Sequence, residues 1–247
     1  NLINQKLIHL GKLQKENGSF CNLTSHLKDN FQFAYENDSI LTTSFIILSL
    51  AGSNDKEAED IIEKAAGFLV SRKDEDWMFN KNLNTTFCAL SALLLIKPEI
   101  FSGEALAKIL SLLTSHEMKE GGPYKTFDHK KEIDLGANVA IAYFLKLKGA
   151  ELPELNRLID TALDMRNFSS FPYFSHFPIL FLLSCFYMHK ADHFADFIML
   201  EQDKGGKWRD QSDTSLAIYS LLGFGVDPCL MDKNIGCLLM YPPEEIV

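Results

Sequence analysis

Two kinds of helix alternate along this chain, and few architectures can house that alternation. Residues 40–50, 84–96, 135–147, 177–188 and 214–224 read as helices that are apolar nearly all round. Such helices persist only when protein surrounds them. Between them stand helices with a single apolar stripe. In residues 56–71 the stripe is Ile61, Ile62, Ala65, Phe68 and Leu69, the spacing of a helix with one buried face. Residues 2–14, 102–116, 153–165, 191–201 and 231–240 are of the same one-faced kind, the last stopping at Pro242 and Pro243.

The order is always one-faced helix, turn, apolar helix, and it runs through five rounds plus a terminal one-faced helix. Repetition at this period defines the architecture. Two concentric layers satisfy it, with the apolar helices inside and the one-faced helices as an outer wall. The expectation is an all-α barrel of about five helix pairs, residues 1–247 forming a single domain, with no β-rich segment interrupting it. Local signals agree with these spans. Asp38 or Ser39, Asp55, Ser102 and Asp134 are N-cap types, and Asp55, Glu57, Glu59 and Asp60 suit the positive end of a helix.

Composition narrows the partners. The net charge is −9 with no Lys/Arg cluster, so the electrostatic footprint of nucleic-acid binding is missing. Five cysteines (Cys21, Cys88, Cys185, Cys229 and Cys237) are scattered and never spaced Cys-x-x-Cys. Reduced, buried thiols in a cytoplasmic protein fit that pattern better than a disulfide framework or a zinc knuckle. The longest apolar run, residues 177–188, is too short to cross a bilayer. Shallow, one-sided membrane contact through the 19 phenylalanines is compatible with the sequence.

The turns carry a further pattern. Gln202-Asp-Lys-Gly-Gly206-Lys-Trp208 is its fullest form, and Gln14-Lys-Glu-Asn-Gly18-Ser-Phe20 repeats it with Phe for Trp. Trp77 closes a turn without Gln or Gly, and Gly121-Gly122-Pro-Tyr124 keeps the glycine and the aromatic; the Ser/Phe/Pro segment of the fourth round has no recognisable motif. These turns resemble the QW motif of the prenyltransferase and squalene-cyclase superfamily. That resemblance implies an α/α toroid in which the Gln and Trp of each turn tie successive helix pairs together, a structural rather than catalytic task.

The resemblance also implies where chemistry would sit, because in that superfamily the N-termini of the inner helices ring the mouth of an apolar cavity. Aligning the inner helices on Thr43, Thr86, Asn138, Pro178 and Ser215 places Asp38 and Thr42, Asn84 and Thr85, Asp134, His176, and Asp213 with Thr214 at that mouth. Each is also an ordinary helix-cap position. Class II terpene cyclases protonate an alkene or epoxide with an Asp-x-Asp-Asp acid, and this chain has no such motif. Asp134 and Asp38 are the acid candidates by position, with Asp213 a third. Asn138 and the aromatic rings of Phe45, Phe87, Tyr143, Phe144, Phe181 and Tyr219 are candidates to line a cation-tolerant cavity. Aromatics on apolar helices serve equally as plain core.

Other chemistries find less support. The Asp, Cys and His zinc ligands of protein prenyltransferases and the Cys/His ligands of lanthionine cyclases are absent as patterns, and His189 with His193 supplies two ligands at most. No metal or cofactor is expected. A P-loop, a dinucleotide fingerprint and a nucleophile elbow are missing. Three readings remain: a terpene cyclase-like enzyme acting on an isoprenoid or other apolar small molecule, a non-catalytic toroid that binds a lipid or protein partner, and a carbohydrate-active α/α barrel with facing carboxylates.

Overall fold

A computed structural model describes residues 2–24, 35–126, 133–170, 173 and 175–240. Pro242 and Pro243 lie outside the described residues, as does part of the Ser/Phe/Pro segment of the fourth round. Contacts gather the chain into two compact units, residues 1–117 with 125–131, and residues 118–124 with 132–247.

The first unit contains α1 (Leu2–Leu13), β1 (Phe20–Thr24), β2 (Tyr35–Ser39), α2 (Ile40–Leu50), α3 (Lys56–Arg72), α4 (Leu83–Ile96) and α5 (Gly103–His116). Helix α3 forms where its sequence directs it. The Asp55 carboxylate accepts the Glu57 N–H, Glu57 and Glu59 occupy the first turn, and Arg72 the last, all matched to the helix dipole. Its apolar stripe packs on α2 and α4. Every residue of α4 from Phe87 to Leu93 is buried, as an inner helix requires. Each large apolar side chain removed from water here contributes roughly 1.5–3 kcal/mol.

The antiparallel pair β1–β2, with Phe20 opposite Ser39, corrects the expectation that no strand interrupts the helices. Its cause is local. Phe20 is buried and its N–H is held by Thr43, while Ser39 caps α2 from an extended conformation that continues β2 directly into the helix. Asn22, Glu36, Asn37 and Asp38 leave too little apolar alternation for the sequence to announce a strand.

The second unit contains α6 (Leu135–Leu147), α7 (Pro153–Asp164), α8 (Phe177–Ser184), α9 (Ala191–Leu200), α10 (Gln211–Gly223) and α11 (Asp232–Met240). Helix α8 packs on α6 and α10, while α7 lies on α6, and α9 and α11 lie on α10. Helices α8 and α10 approach closely at Gly223, where a Cβ would stand 2.8 Å from Ser184 Oγ. Helix α8 stops at Ser184 rather than continuing to residue 188, because Tyr187 leaves helical geometry and its hydroxyl donates to Asn156 O and Asp160 Oδ1 at 3.0 Å. Among the described residues no helix is long and apolar enough to cross a membrane.

A single device recurs in four of the five inner-helix starts. Ser39, Asn82, Asp134 and Asp210 cap α2, α4, α6 and α10, each accepting the N–H three residues on. Four residues after each cap stands a buried Thr43, Thr86, Asn138 or Thr214. Its side-chain oxygen accepts the backbone N–H of the preceding turn's aromatic residue: Phe20 at 3.0 Å, Phe79 at 2.9 Å, Tyr124 at 2.8 Å and Trp208 at 3.1 Å. The sequence alignment on Ser215 is therefore one residue out of register, and Asp210 caps α10 in place of Asp213 or Thr214. Thr86→Val keeps the shape of the side chain and strands the buried Phe79 N–H, which costs about 1–3 kcal/mol. Denaturant unfolding of this variant is expected to show that loss, and unchanged stability would contradict the role given to the clamp.

The fourth round breaks the device. His176 precedes α8 without a side-chain cap bond, and Leu180 stands where the other helices carry Thr or Asn.

Candidate functional site

Where the clamp is missing, a cleft of about 440 Å³ opens in the second unit, lined by Ser175, His176, Phe177, Lys207, Trp208, Asp213 and the more exposed Glu201, Asp203 and Arg209. The segment before α8 contributes Ser175 and His176; the turn after α9 contributes Trp208 and Arg209. Asp213 comes from the third position of α10, because Asp210 has taken the cap.

Asp213 is 3% exposed. Ser175 Oγ donates to its Oδ1 at 2.6 Å. Arg209 Nε lies 2.9 Å from Oδ2, near enough for an ion pair but off the line of a hydrogen bond, so that this buried oxygen accepts none among the described residues. Burial is the largest influence and raises the Asp213 carboxyl above its ordinary value, and the neighbouring Asp210 charge acts the same way; the Ser175 bond, Arg209 and His176 oppose them. An acid held toward its protonated form is what proton donation to a weak base needs. Three aromatic residues line the same cleft: Phe177 and Trp208, 6.3 Å apart and near perpendicular, and His176 packed 4.4 Å from Phe177. His176 Nε2 is 2.7 Å from Glu201 Oε2.

The raised carboxyl has a consequence for stability. A folded-state value above the ordinary 3.8 means that the native protein binds this proton more tightly than the unfolded chain does. Stability is therefore lost as pH rises from 3.8 through the raised value. Asp213→Asn removes that loss, so the melting temperature of the variant relative to wild type is expected to climb as pH increases across this window. A pH-independent difference between the two curves would contradict it.

The other two acid candidates are placed differently. Asp38 lies in the first unit, where Lys15 Nζ stands 3.1 Å from Oδ1 and Arg72 Nη2 and Asn17 Nδ2 stand 3.0 and 2.9 Å from Oδ2. The Lys15 bond chiefly holds its carboxyl below the usual range, the reverse of what a proton donor needs. Asp134 caps α6 and accepts a hydrogen bond from Ser170 Oγ at 2.9 Å, so its position is explained by helix termination.

The remaining candidates divide between the units. In the first, Thr42 and Thr85 are half-buried and give their backbone N–H groups to the caps Ser39 and Asn82; Phe45 is half-buried on α2 and Phe87 is wholly within the core. In the second, Asn138 is committed to both backbone groups of Tyr124. Tyr143 is buried and stacks on Phe186, while Phe181 is fully buried with its ring 4.9 Å from that of the partly exposed Tyr219. Only His176 and Asp213, of the proposed cavity residues, meet in the cleft.

Most of the turn residues have partners within the fold, Gln202 being the exception. Gln14 Nε2 donates to Gly18 O and across to Ile61 O of α3. Trp77 packs on Phe101 at 5.3 Å with the Lys73 ammonium 4.6 Å from its ring centre. Gly122 has positive φ against Tyr124 and Leu155. Trp208 Nε1 donates to Ile198 O, and Gly206 O accepts from Asn234. Gln202 Nε2 is buried with no hydrogen bond among the described residues. Both tryptophans are buried, which leaves no exposed indole for stacking a sugar. No group of three metal-ligating side chains is found among the described residues.

Sequence reasoning missed Ser175, Glu201 and Arg209. The Arg209–Asp213 spacing of four was visible, but Arg209 precedes the cap Asp210 and lies outside α10, where that spacing by itself signals no contact. Ser175 lies in a segment with no motif.

No protein-family model and no curated protein matches the sequence. Solved structures do match, and they define the fold as the all-α toroid of type II terpene cyclases. MstE from Scytonema, a type II terpene cyclase, superposes with a TM-score of 0.69 over 97% of this chain and 77% of its own, at 15% identity. Variants of MstE have been solved with geranylgeranyl dihydroxybenzoate, its substrate, and merosterolic acid A, its product. A protein from Actinoplanes gives 0.70 over 96% and 79% at 12% identity. The ent-copalyl diphosphate synthase of Streptomyces platensis gives 0.54 over 82% and 44% at 13% identity.

Proposed function

We propose that this protein binds an isoprenoid chain and cyclises it by proton transfer from Asp213. The observation that carries the reading is a buried carboxyl, raised toward its protonated form, opening into a cleft walled by aromatic rings on a chain with the terpene-cyclase fold. The likeness to MstE suggests the ligand class, an isoprenoid-bearing small molecule.

In the proposed step, the Asp213 carboxyl gives its proton to the terminal carbon of a trisubstituted alkene. The π pair forms the new C–H bond and leaves a tertiary cation and an aspartate. Successive π bonds of the chain close onto that cation within the cleft that Phe177 and Trp208 line. The last cation loses a proton, and Asp213 is reprotonated from water, so the product is an isomer of the substrate. The absence of Asp-x-Asp-Asp makes Asp213 a solitary acid, activated by its burial.

Incubation with squalene and with geranylgeranyl compounds, followed by mass spectrometry, tests this reading. New products of unchanged mass are expected. A folded protein that returns every chain unaltered would sink the enzyme. One observation favours the alternative of a non-catalytic lipid-binding toroid: Arg209, 2.9 Å from Asp213 Oδ2, favours the ionised carboxylate, which has no proton to give. Bound but unaltered isoprenoid recovered from the purified protein would support that reading.

A further inference from the structure

We propose that a second cleft, at the far end of α8 from Asp213, binds a zwitterionic α-amino acid with an aromatic side chain. This cleft lies wholly in the second unit, measures about 330 Å³ and shares no lining residue with the first. Its back wall is fixed. Tyr187 is buried, and its hydroxyl donates to Asn156 O and Asp160 Oδ1 at 3.0 Å. Burial first and the Asp160 carboxylate second raise this phenol above its ordinary value, so it stays a donor. Lys190 Nζ, 2.9 Å from the same Asp160 oxygen, completes the lock. Phe186 is braced by Tyr143, stacked at 5.6 Å, and by the Tyr187 ring at 5.7 Å. Ala142 and Leu152 add to the apolar lining. An apolar hollow of this size with a few placed polar groups is the usual form of a small-molecule site.

The other polar groups of the lining are held far less firmly. Lys146, in the last turn of α6, and Glu151, just before α7, pair with each other, and both are about half exposed. The Lys146 bond chiefly holds the Glu151 carboxyl below its usual range, so it is ionised at neutral pH. An exposed pair of this kind contributes little to stability and opens readily. The side-chain amide of Asn156 is half-buried, lines the cleft and makes no hydrogen bond among the described residues. It has two donors and an acceptor to offer. These groups select the ligand. A wholly apolar molecule would take water from Lys146 and Glu151 and return nothing. A phosphate would meet a carboxylate beside each cation, Glu151 at Lys146 and Asp160 at Lys190 and His189, the last 3.9 Å away. A zwitterion instead exchanges one ion pair for two, each charge-assisted. Its carboxylate takes Lys146, its ammonium takes Glu151, Asn156 bonds either end, and the side-chain ring packs on Phe186 as aromatic pairs do.

Ligand-observed NMR titration of the whole chain near neutral pH, with L-phenylalanine, phenethylamine and 3-phenylpropionate, tests the site without requiring isoprenoid turnover. Phenethylamine lacks the carboxylate and phenylpropionate the ammonium. Each is expected to bind at least about tenfold more weakly than phenylalanine, one charge-assisted hydrogen bond being lost. Lys146→Met should bring phenylalanine down to the level of phenethylamine and leave phenethylamine no weaker. Glu151→Gln should bring it down to the level of phenylpropionate and leave phenylpropionate no weaker. Both changes fall on half-exposed side chains, so the fold survives them. Asp213→Asn, at the other end of α8, should bind phenylalanine as the wild type does. No binding of phenylalanine, binding no tighter than that of either analogue, or an equal loss of all three probes in the Lys146 and Glu151 variants would overturn the inference. So would a loss of phenylalanine binding in Asp213→Asn. Each of these results leaves the cyclase reading where it stands.

Discussion

Gly18→Ala is expected to be among the most damaging single substitutions in the first unit. Gly18 holds φ at +86°, and a Cβ built on it would stand 2.1 Å from the Lys64 carbonyl oxygen of α3. The left-handed conformation alone costs an alanine roughly 1 kcal/mol. Overlap with main chain cannot be relieved by a rotamer change, so α3 or the turn must move. Gln14, which bonds both Gly18 O and Ile61 O, then loses the geometry that ties α1 to α3. A loss of about 3 kcal/mol or more follows, or roughly 6–12 °C in melting temperature for a chain of this size. Two other glycines of positive φ grade the effect. Gly206 has the same φ, but its Cβ would meet Asn234 Nδ2 and Lys233 side-chain atoms at 3.3–3.5 Å, which can yield, and at Gly52 (φ +90°) it would meet nothing. Alanine at these sites should therefore cost less, in the order Gly18, Gly206, Gly52. Equal losses at Gly18 and Gly52 would refute the close-approach argument.

Asp213→Asn is expected to abolish cyclisation. The amide keeps the volume and the Ser175 contact but carries no acidic proton. The rate then falls to what water reaching the cleft can supply, a drop of about 10³-fold or more by comparison with the usual contribution of a positioned general acid and its electrostatics. Asp134→Asn should leave turnover within a few-fold of wild type, because Asn caps helices about as well as Asp. Asp38→Asn acts in the first unit, on the contacts with Lys15 and Arg72; its consequence should be in stability, felt above the lowered carboxyl value and fading in acid.

The helices were legible in the sequence because one physical contrast, apolar all round against apolar on one face, runs the length of the chain. Residues 40–50, 102–116 and 135–147 were delimited nearly as they fold, since Ser39, Ser102 and Asp134 each stand just before an apolar run. The start of α10 was not. Asp210-Gln-Ser-Asp213 offers two good caps three residues apart, and only burial distinguishes the one that ends in water from the one that ends in the protein. The environments that distinguish the three acid candidates were out of reach for the same reason, because desolvation and the positions of Arg209, Lys15 and Arg72 belong to tertiary structure. The missing Thr or Asn at Leu180 was in the sequence throughout. Its meaning required knowing that the other four inner-helix starts use that position to hold the preceding turn, and the cleft opens at the round that does not.

Parallel incubation of wild type, Asp213→Asn and Asp134→Asn with geranylgeranyl-bearing acids, with products resolved by mass and retention time, tests the central assignment most directly. Cyclic isomers from wild type and Asp134→Asn, and none from Asp213→Asn, are the predicted result. Undiminished product from Asp213→Asn would contradict it.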